Sequence, residues 1–229
     1  MSIRKLGKGR EPSWSPDGNK IIYTYNEKIY IYNLITKDTE ALPVKGKNPR
    51  YSPEGGHILY SQNGINKYSL TLKKADVLSP FGDHPLWNSD GATIIFSFEG
   101  DVWRMASDGE RRELFIPQGI PRALSSDSSS LLIERWDEEF LQFNLVLVDM
   151  DDGSITPLLN GYQGSFSPDD RIMVFSADGI FLHERELKKT IKLVARGFAP
   201  SWSPTGDMIV FCDKGFLWLI ESVSSLSFD

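Results

Sequence analysis

The sequence has a single cysteine and three histidines, and it lacks any stretch approaching the roughly 18 consecutive apolar residues of a membrane-spanning helix. Cys212 follows the apolar run that begins at Met208, so we expect a buried thiol that forms no internal disulfide and is not a nucleophile. Residues 1–10 contain no apolar segment typical of a secretory signal. We therefore expect a cytoplasmic protein with no membrane span, or a periplasmic one if a signal peptide has been removed.

The sequence motifs of common catalytic sites are also missing. There is no Gly-x-Ser-x-Gly turn, phosphate-binding loop, His-Glu-x-x-His motif or paired-cysteine motif. The net charge of −6 argues against a general nucleic-acid binder, because neutralising phosphates requires a local excess of cations. We therefore predict a protein that is not an enzyme, with no catalytic residues, no metal site, no cofactor and no nucleic-acid partner.

One short motif recurs along the whole chain. Its first copy is Pro12-Ser13-Trp14-Ser15-Pro16-Asp17-Gly18. Altered copies have their heads near residues 12, 49, 85, 123, 165 and 200, with large apolar residues at 14, 51, 87, 124, 166 and 202. The steps between these apolar residues are 37, 36, 37, 42 and 36, a length that fits four short strands with their turns.

Each unit follows one plan of four strands, which we call A to D. In the first unit, strand A lies at the head, and we predict strand B over 20–25, strand C over 28–32 and strand D over 39–44. Strands B and C are nearly continuous apolar and aromatic runs, which indicates sheets that are covered on both faces. A propeller covers its sheets in this way, because neighbouring blades sandwich each blade. We predict an all-β, six-bladed β-propeller with four antiparallel strands per blade, formed by residues 1–229 as a single domain.

The sixth unit runs short, and the start of the chain resembles the strand that it lacks. Leu6 precedes its head aromatic by eight residues, within the range of eight to ten that separates the D-strand leucines 42, 78, 114, 158 and 193 from theirs. We predict that residues 3–8 complete the sixth blade and close the ring, which removes exposed sheet edges. In the alternative, residues 224–228 supply that strand.

The repeated heads resemble the WD40-like repeats of TolB-type β-propellers, whose units carry a Trp-Ser-Pro-Asp-Gly-like head followed by an apolar strand. The resemblance covers essentially the whole chain, although the fourth head lacks Pro and Gly and Asp170 replaces Gly in the fifth. Members of this family typically act as docking platforms for proteins, so the resemblance implies a binding module. The hydrolase portion of peptidases that carry similar propellers is missing, so their activity is not implied.

The expected topology sorts the charged residues onto two faces. In an up-and-down blade, the D–A and B–C connections share one face, and the A–B and C–D turns share the other. The D–A connections are rich in cations, which favours a basic funnel that attracts an acidic peptide or a small anion. In the alternative, these turns are charged only because they are solvated. The A–B turns carry acidic residues, so we expect the opposite mouth to be acidic. The candidate binding residues of the funnel are Arg10, Lys47, Arg50, His84, Arg122 and Arg196.

The fourth unit is longer than the others because of an insertion at 134–142 that we expect to extend its B–C hairpin on the basic face. Trp136 lies near the tip and is a further candidate binding residue, because aromatic residues and arginine often anchor interfaces. In the alternative, Trp136 folds back onto its own blade.

These features predict a monomeric, TolB-like scaffold that docks a protein or peptide partner on its D–A/B–C face. Replacing Arg50 and Arg122 by glutamate is then expected to weaken binding without changing the melting temperature. The alternative is a small-molecule binder, or a hydrolase or lyase, that uses the central channel for an anionic metabolite or a glycan.

Overall fold

The computed structural model describes residues 1–223 and Phe228. Within these residues, 24 β-strands form six sheets of four antiparallel strands, which confirms the six-bladed β-propeller. Blade 1 contains β2 (Arg10–Trp14), β3 (Lys20–Tyr25), β4 (Lys28–Asn33) and β5 (Thr39–Lys45). Blade 2 contains β6 (Lys47–Tyr51), β7 (His57–Ser61), β8 (Ile65–Ser69) and β9 (Lys74–Ser79). Blade 3 contains β10 (Asp83–Trp87), β11 (Thr93–Phe98), β12 (Asp101–Ala106) and β13 (Glu113–Ile116).

The remaining three blades repeat the same order of strands. Blade 4 contains β14 (Ile120–Leu124), β15 (Ser130–Asp137), β16 (Gln142–Asp149) and β17 (Ile155–Asn160). Blade 5 contains β18 (Tyr162–Phe166), β19 (Ile172–Ser176), β20 (Ile180–Glu184) and β21 (Lys189–Val194). Blade 6 contains β22 (Phe198–Trp202), β23 (Met208–Asp213) and β24 (Phe216–Glu221), and its fourth strand is β1 (Ser2–Lys8).

The N-terminal strand closes the ring, as the sequence predicts. Strand β1 pairs antiparallel with β24, from Ser2 opposite Glu221 to Lys8 opposite Phe216. The pairing is reinforced by an ion pair of 3.0 Å between Arg4 Nε and Glu221 Oε1. In the alternative, residues 224–228 supply this strand, but residues 224–227 lie outside the described residues. In the structure, β1 takes the place of strand D in blade 6. Phe228 is buried in the core between blades 5 and 6.

The hydrophobic core is divided among the spaces between blades. The described residues form six buried clusters, and each of them joins two neighbouring blades around the ring. The cluster between blades 6 and 1 contains Trp14, whose Nε1 donates a hydrogen bond of 2.9 Å to the Ser201 carbonyl of blade 6. Trp14 therefore packs between two blades. Cys212 belongs to the same cluster, and burial raises the pKa of its thiol to about 12, as expected for an inert side chain.

A glycine stands five residues ahead of the head apolar residue in every unit, including the fourth, where the head motif has decayed. In each case a Cβ added to the glycine would lie within 2.9 Å of a strand B side chain of the same blade. These glycines are Gly9, Gly46, Gly82, Gly119, Gly161 and Gly197. Their missing side chains therefore let strand B pack directly beneath the D–A connection.

We predict that Gly9→Ala destabilises the protein by roughly 1–3 kcal/mol, because its Cβ would lie 2.5 Å from Tyr23 Cδ2 and overpack the core. Gly7→Ala is the matched control, because nothing lies within 4 Å of a Cβ at that position, and it should change stability by less than about 0.5 kcal/mol. Urea unfolding of both variants measures the difference. Equal losses in the two variants would show that the close approach at Gly9 is unimportant.

Candidate functional site

The structure confirms which connections share a face. The amide of Gly46 in a D–A connection donates to the Glu27 carbonyl in a B–C turn at 2.7 Å, and the amide of Gly161 donates to the Phe143 carbonyl at 2.9 Å. On the other face, the amide of Leu34 in a C–D turn donates to the Asn19 carbonyl in an A–B turn. Binding residues on the D–A connections and on the B–C hairpin of blade 4 therefore lie on one face of the ring.

Strand A of each blade lines the central channel. The channel contains a cavity of about 200 Å³ toward the D–A mouth and one of about 330 Å³ toward the A–B mouth. Four residues line both cavities and mark the level between them, which we call the waist: Ser13, Arg50, Leu86 and Ser201. Arg50 is the one charged residue of these four. Its guanidinium therefore lies where a ligand from either mouth would meet a cation.

Arg50 has no ion-pair partner among the described residues. The one hydrogen bond that its guanidinium makes there runs from Nη1 to the carbonyl of Pro49, at 3.1 Å. Burial lowers the pKa of Arg50 to about 10, an effect that the nearby charge of Glu11 opposes and that of Arg122 reinforces. The guanidinium is therefore still protonated at neutral pH, as a cation with unused donors.

Arg122 also lines the D–A cavity, but it is engaged with a buried carboxylate. Its Nε and Nη2 atoms donate to the two oxygens of Glu134 at 2.8 and 3.0 Å, and the Glu134 side chain is 4% exposed. Oxygen Oε2 of Glu134 also accepts the amide of Gln163 at 2.9 Å, which joins blades 4 and 5. Arg122 is therefore part of the structure between two blades. Replacing it by glutamate would bury two carboxylates together, so for Arg122 we now expect charge reversal to lower the melting temperature rather than leave it unchanged.

A belt of left-handed residues surrounds the D–A mouth. Five of the six A strands have a non-glycine residue with φ near +50° three positions before the head apolar residue. The pairing register with strand B shifts there in all six blades. These five residues are Glu11, Asn48, His84, Gln163 and Ala199. Side chains of neighbouring blades bind some of their amides: Glu11 accepts the Asn48 amide at 2.8 Å, and Gln163 accepts the Ala199 amide at 2.9 Å. The sequence patterns did not indicate this belt.

The remaining cationic candidates lie outside the channel. Arg10, Lys47 and Arg196 are exposed on the D–A face, and none of them lines the channel cavities. Lys47 lines a separate cavity of about 460 Å³, together with Asp83. Acidic residues such as Glu11 thus lie on the same segments as the cations, so the face carries mixed charge. Of the two arginines that line the D–A cavity, Arg50 is the one without an ion pair among the described residues.

His84 contributes no positive charge at neutral pH. Its Nδ1 atom lies 3.2 Å from Ser97 Oγ. Burial and the charges of Arg122 and Arg50 together lower the pKa of His84 to about 4, although the charge of Asp83 has the opposite effect. His84 therefore acts as a neutral hydrogen-bonding group of blade 3.

The acidic residues of the A–B turns mainly close their own turns. Asp17 accepts hydrogen bonds from Ser15 Oγ and from the amide of Asn19, and the same arrangement recurs at Asp127 with Ser125 and Ser129. Hydrogen bonds of this kind stabilise the charged form, so the pKa of Asp17 is lowered, chiefly by Ser15. The acidity of this mouth is thus largely a property of the turns.

The hairpin of blade 4 presents apolar side chains to solvent. Trp136 packs edge-on against Phe143 with ring centroids 4.9 Å apart, yet 51% of Trp136 remains exposed. Phe140 and Leu141 at the turn are 64% and 73% exposed. The base of the hairpin is fixed by Arg135, which donates from Nε and Nη2 to backbone carbonyls of the preceding D–A connection at 2.6 and 2.8 Å. Trp136 therefore folds partly onto its own blade and still presents apolar surface.

Among residues 1–223 and Phe228, no group of three or more His, Cys, Asp or Glu side chains is placed to hold a metal ion. His57, His84 and His183 lie on three different blades. In the same part of the chain, no helix is long and apolar enough to cross a membrane.

We predict opposite effects on stability for the two channel arginines. Arg122→Gln should cost about 3 kcal/mol in unfolding free energy, because it leaves the buried carboxylate of Glu134 without its cation. Arg50→Gln removes a half-buried charge that has no partner, so stability should stay the same or rise. Urea unfolding at neutral pH measures both changes, and a comparable loss in the two variants would contradict these roles.

His84 should make the free energy of unfolding depend on pH. Between the ordinary histidine pKa of 6.5 and the folded value of about 4, the unfolded chain binds more protons than the folded chain, so stability falls as the pH falls through this window. Wild type should lose up to about 3 kcal/mol more than His84→Asn between pH 7 and pH 4. Asparagine tolerates the left-handed backbone at this position. Identical pH profiles of unfolding for the two proteins would rule out this contribution.

No protein-family model matches the sequence, and no curated protein matches it significantly. Solved structures do match. TolB from Acinetobacter baumannii aligns over 97% of this chain at 20% identity with a TM-score of 0.66, and this chain spans about half of that protein, 55% of its length. A gluconolactonase from Xanthomonas campestris aligns over 96% of this chain and 88% of its own at 11% identity, with a TM-score of 0.73.

A chain of the nidogen/laminin complex aligns over 92% of both chains at 13% identity, also with a TM-score of 0.73. By their names, these structures are a TolB protein, an enzyme and a component of a protein complex. At such identities the likeness shows the fold and not the activity. The chain is therefore a six-bladed β-propeller whose similar structures include TolB, in agreement with the resemblance of its repeats.

Proposed function

We propose that this propeller is a non-enzymatic docking module that binds a protein or peptide partner on its D–A/B–C face, acting as a monomer and a single domain. The observation that carries the proposal is the exposed apolar tip of the blade 4 hairpin. Trp136, Phe140 and Leu141 together place a large apolar surface in water on a segment with a defined conformation. Contiguous exposed apolar surface of this kind is typical of interaction sites.

The fold itself does not require this surface. The hairpin extends beyond the ends of its neighbouring strands, since β14 reaches only Glu134 of β15 and β17 reaches only Asn144 of β16. The tip is nevertheless ordered by hydrogen bonds, because Asp137 accepts the amides of Glu139 and Phe140. A preorganised aromatic tip loses little conformational entropy when it binds, which favours a role as an anchor.

A row of aromatic rings leads from the apolar tip toward the strand that lines the channel. The ring of Phe143 lies between those of Trp136 and Tyr162. The centroids of Phe143 and Tyr162 are 6.4 Å apart. The residue after Tyr162 is Gln163, which lines the D–A cavity. A partner that covers the hairpin can therefore extend an acidic group into the mouth toward Arg50, and the two contacts together define one binding surface.

Two of the similar structures agree with different functions. The nidogen/laminin complex is an assembly of proteins, which supports the docking proposal. The gluconolactonase is an enzyme, which supports the alternative of a small-molecule site in the channel. Holding a hard cation in such a channel would require several oxygen ligands, such as carboxylates. The waist of this channel instead holds Ser13, Arg50, Leu86 and Ser201, a set that favours an anion over a cation.

We predict that Trp136→Ser combined with Phe140→Ser abolishes capture of the partner from native cell extract, with wild type and variant immobilised at equal density. Leu72→Ser is the matched control, because Leu72 is a still more exposed apolar residue but lies in a C–D turn on the opposite face. Exposed substitutions of this kind should change the unfolding free energy by less than about 0.5 kcal/mol. Bound proteins are compared by mass spectrometry. Retention of the same proteins by the hairpin variant, or their loss from the control, would contradict the proposal.

A further inference from the structure

The guanidinium of Arg50 is the least satisfied charged group of the channel. A guanidinium has five N–H donors, and within the described residues Arg50 uses one of them, toward the Pro49 carbonyl. Arg122 differs in that both of its donating nitrogens reach Glu134. An unpaired cation in a half-buried position opposes folding unless a ligand compensates it. The geometry therefore leaves a set of unused donors facing the channel.

The neighbours of Arg50 leave room for a ligand and can bind one. Of the five equivalent positions on the other A strands, one carries Leu86 and the other four carry small side chains, at Ser13, Ala123, Ser165 and Ser201, so side chains do not fill the D–A cavity of about 200 Å³. The hydroxyls of Ser13 and Ser201 make no hydrogen bond within the described part of the chain, and they can donate to an oxygen atom beside Arg50. A cavity of this size accommodates one amino-acid side chain or a small organic acid.

Glu11 restricts the charge of that ligand. It is the acidic residue that lines the D–A cavity, and its Oε2 atom is held by the amide of Asn48. Its field reaches Arg50, since it opposes the effect of burial on the Arg50 pKa. A second negative charge on the ligand would be repelled by Glu11, so a single carboxylate fits the site better than a dianion.

We propose that the waist of the channel is a carboxylate-binding site, in which Arg50 binds one carboxylate through two N–H donors and Ser13 and Ser201 donate to its oxygens. The carboxylate enters through the D–A mouth. It comes either from an acidic residue of the docked partner, in which case the site rests on the proposed function, or from a free small acid. Bidentate pairing with a planar carboxylate is the geometry for which a guanidinium is best suited.

The test uses the whole protein with ¹⁵N-labelled arginine, and the Arg50 Nε–H resonance is assigned by its loss in Arg50→Gln. Three probes are titrated separately: lactate, its uncharged analogue lactamide, and the blocked peptide acetyl-Gly-Glu-Gly-amide. We expect lactate, the peptide or both to shift the Arg50 resonance, and lactamide to leave it unchanged. Binding of lactate indicates a site for free acids, and binding of the peptide alone indicates a site for an acidic residue of the partner.

Variants separate this site from general electrostatics. Because these variants lack the Arg50 resonance, their affinity for the probes is measured by calorimetry. The affinity should fall at least about tenfold in Arg50→Gln and by less in Arg50→Lys, which keeps the charge without the planar donors. Arg196→Gln is the matched control, because Arg196 is exposed on the same face and does not line the channel. Circular dichroism verifies that each variant is folded.

Several results would overturn the proposal. They are the absence of any shift by lactate and by the peptide up to about 50 mM, an equal response to lactamide, and an equal loss of affinity in Arg196→Gln. The hairpin variant Trp136→Ser/Phe140→Ser should bind lactate and the peptide as wild type does. Failure of the carboxylate site is therefore distinguishable from failure of the docking surface, which is measured by partner capture.

Discussion

The structure depends on hydrophobic packing between neighbouring blades, because no blade has a core of its own. Each of the six buried clusters takes its residues from two sheets, so the apolar faces of one blade are covered only when both neighbours are present. Such an array leaves two uncovered faces unless it closes into a ring. Strand β1 closes it by adding to β24 of the last blade, so the first residues of the chain stabilise the last sheet.

Closure of the ring also means that a single residue can change the chemistry of the channel. In a ring of similar units, the same strand position meets the axis six times, and a repeat with identical residues would give a symmetric and chemically uniform channel. Here the position before the head residue carries Ser13, Leu86, Ala123, Ser165 and Ser201 in five blades and Arg50 in the second. One departure from the repeat thus places one cation near the axis. The longer hairpin of blade 4 is a second departure, and it lies on the face from which the D–A cavity leads to Arg50.

Much of the architecture could be predicted from the sequence, because the head motif and the apolar strands are local patterns. The number of blades, the strands and the closing strand all follow from spacing. The charge of the binding face was harder to predict, since it depends on contacts between residues of different strands. In the sequence, Arg50 and Arg122 are two similar cations of the D–A segments. In the structure, Glu134 of another strand pairs with Arg122 and not with Arg50. The neutral state of His84 likewise depends on burial that spacing does not reveal.

The contrast between these two arginines bears on which of them is functional. Arg122 and Glu134 satisfy each other and link blades 4 and 5 through Gln163, so selection for a stable fold is sufficient to explain them. No such explanation applies to Arg50, because a partly buried guanidinium without a carboxylate weakens the fold that contains it. A channel filled by a leucine, as at Leu86 of the next blade, would avoid that loss. A destabilising charge at the centre of an otherwise well-packed ring is therefore better explained by a ligand than by folding.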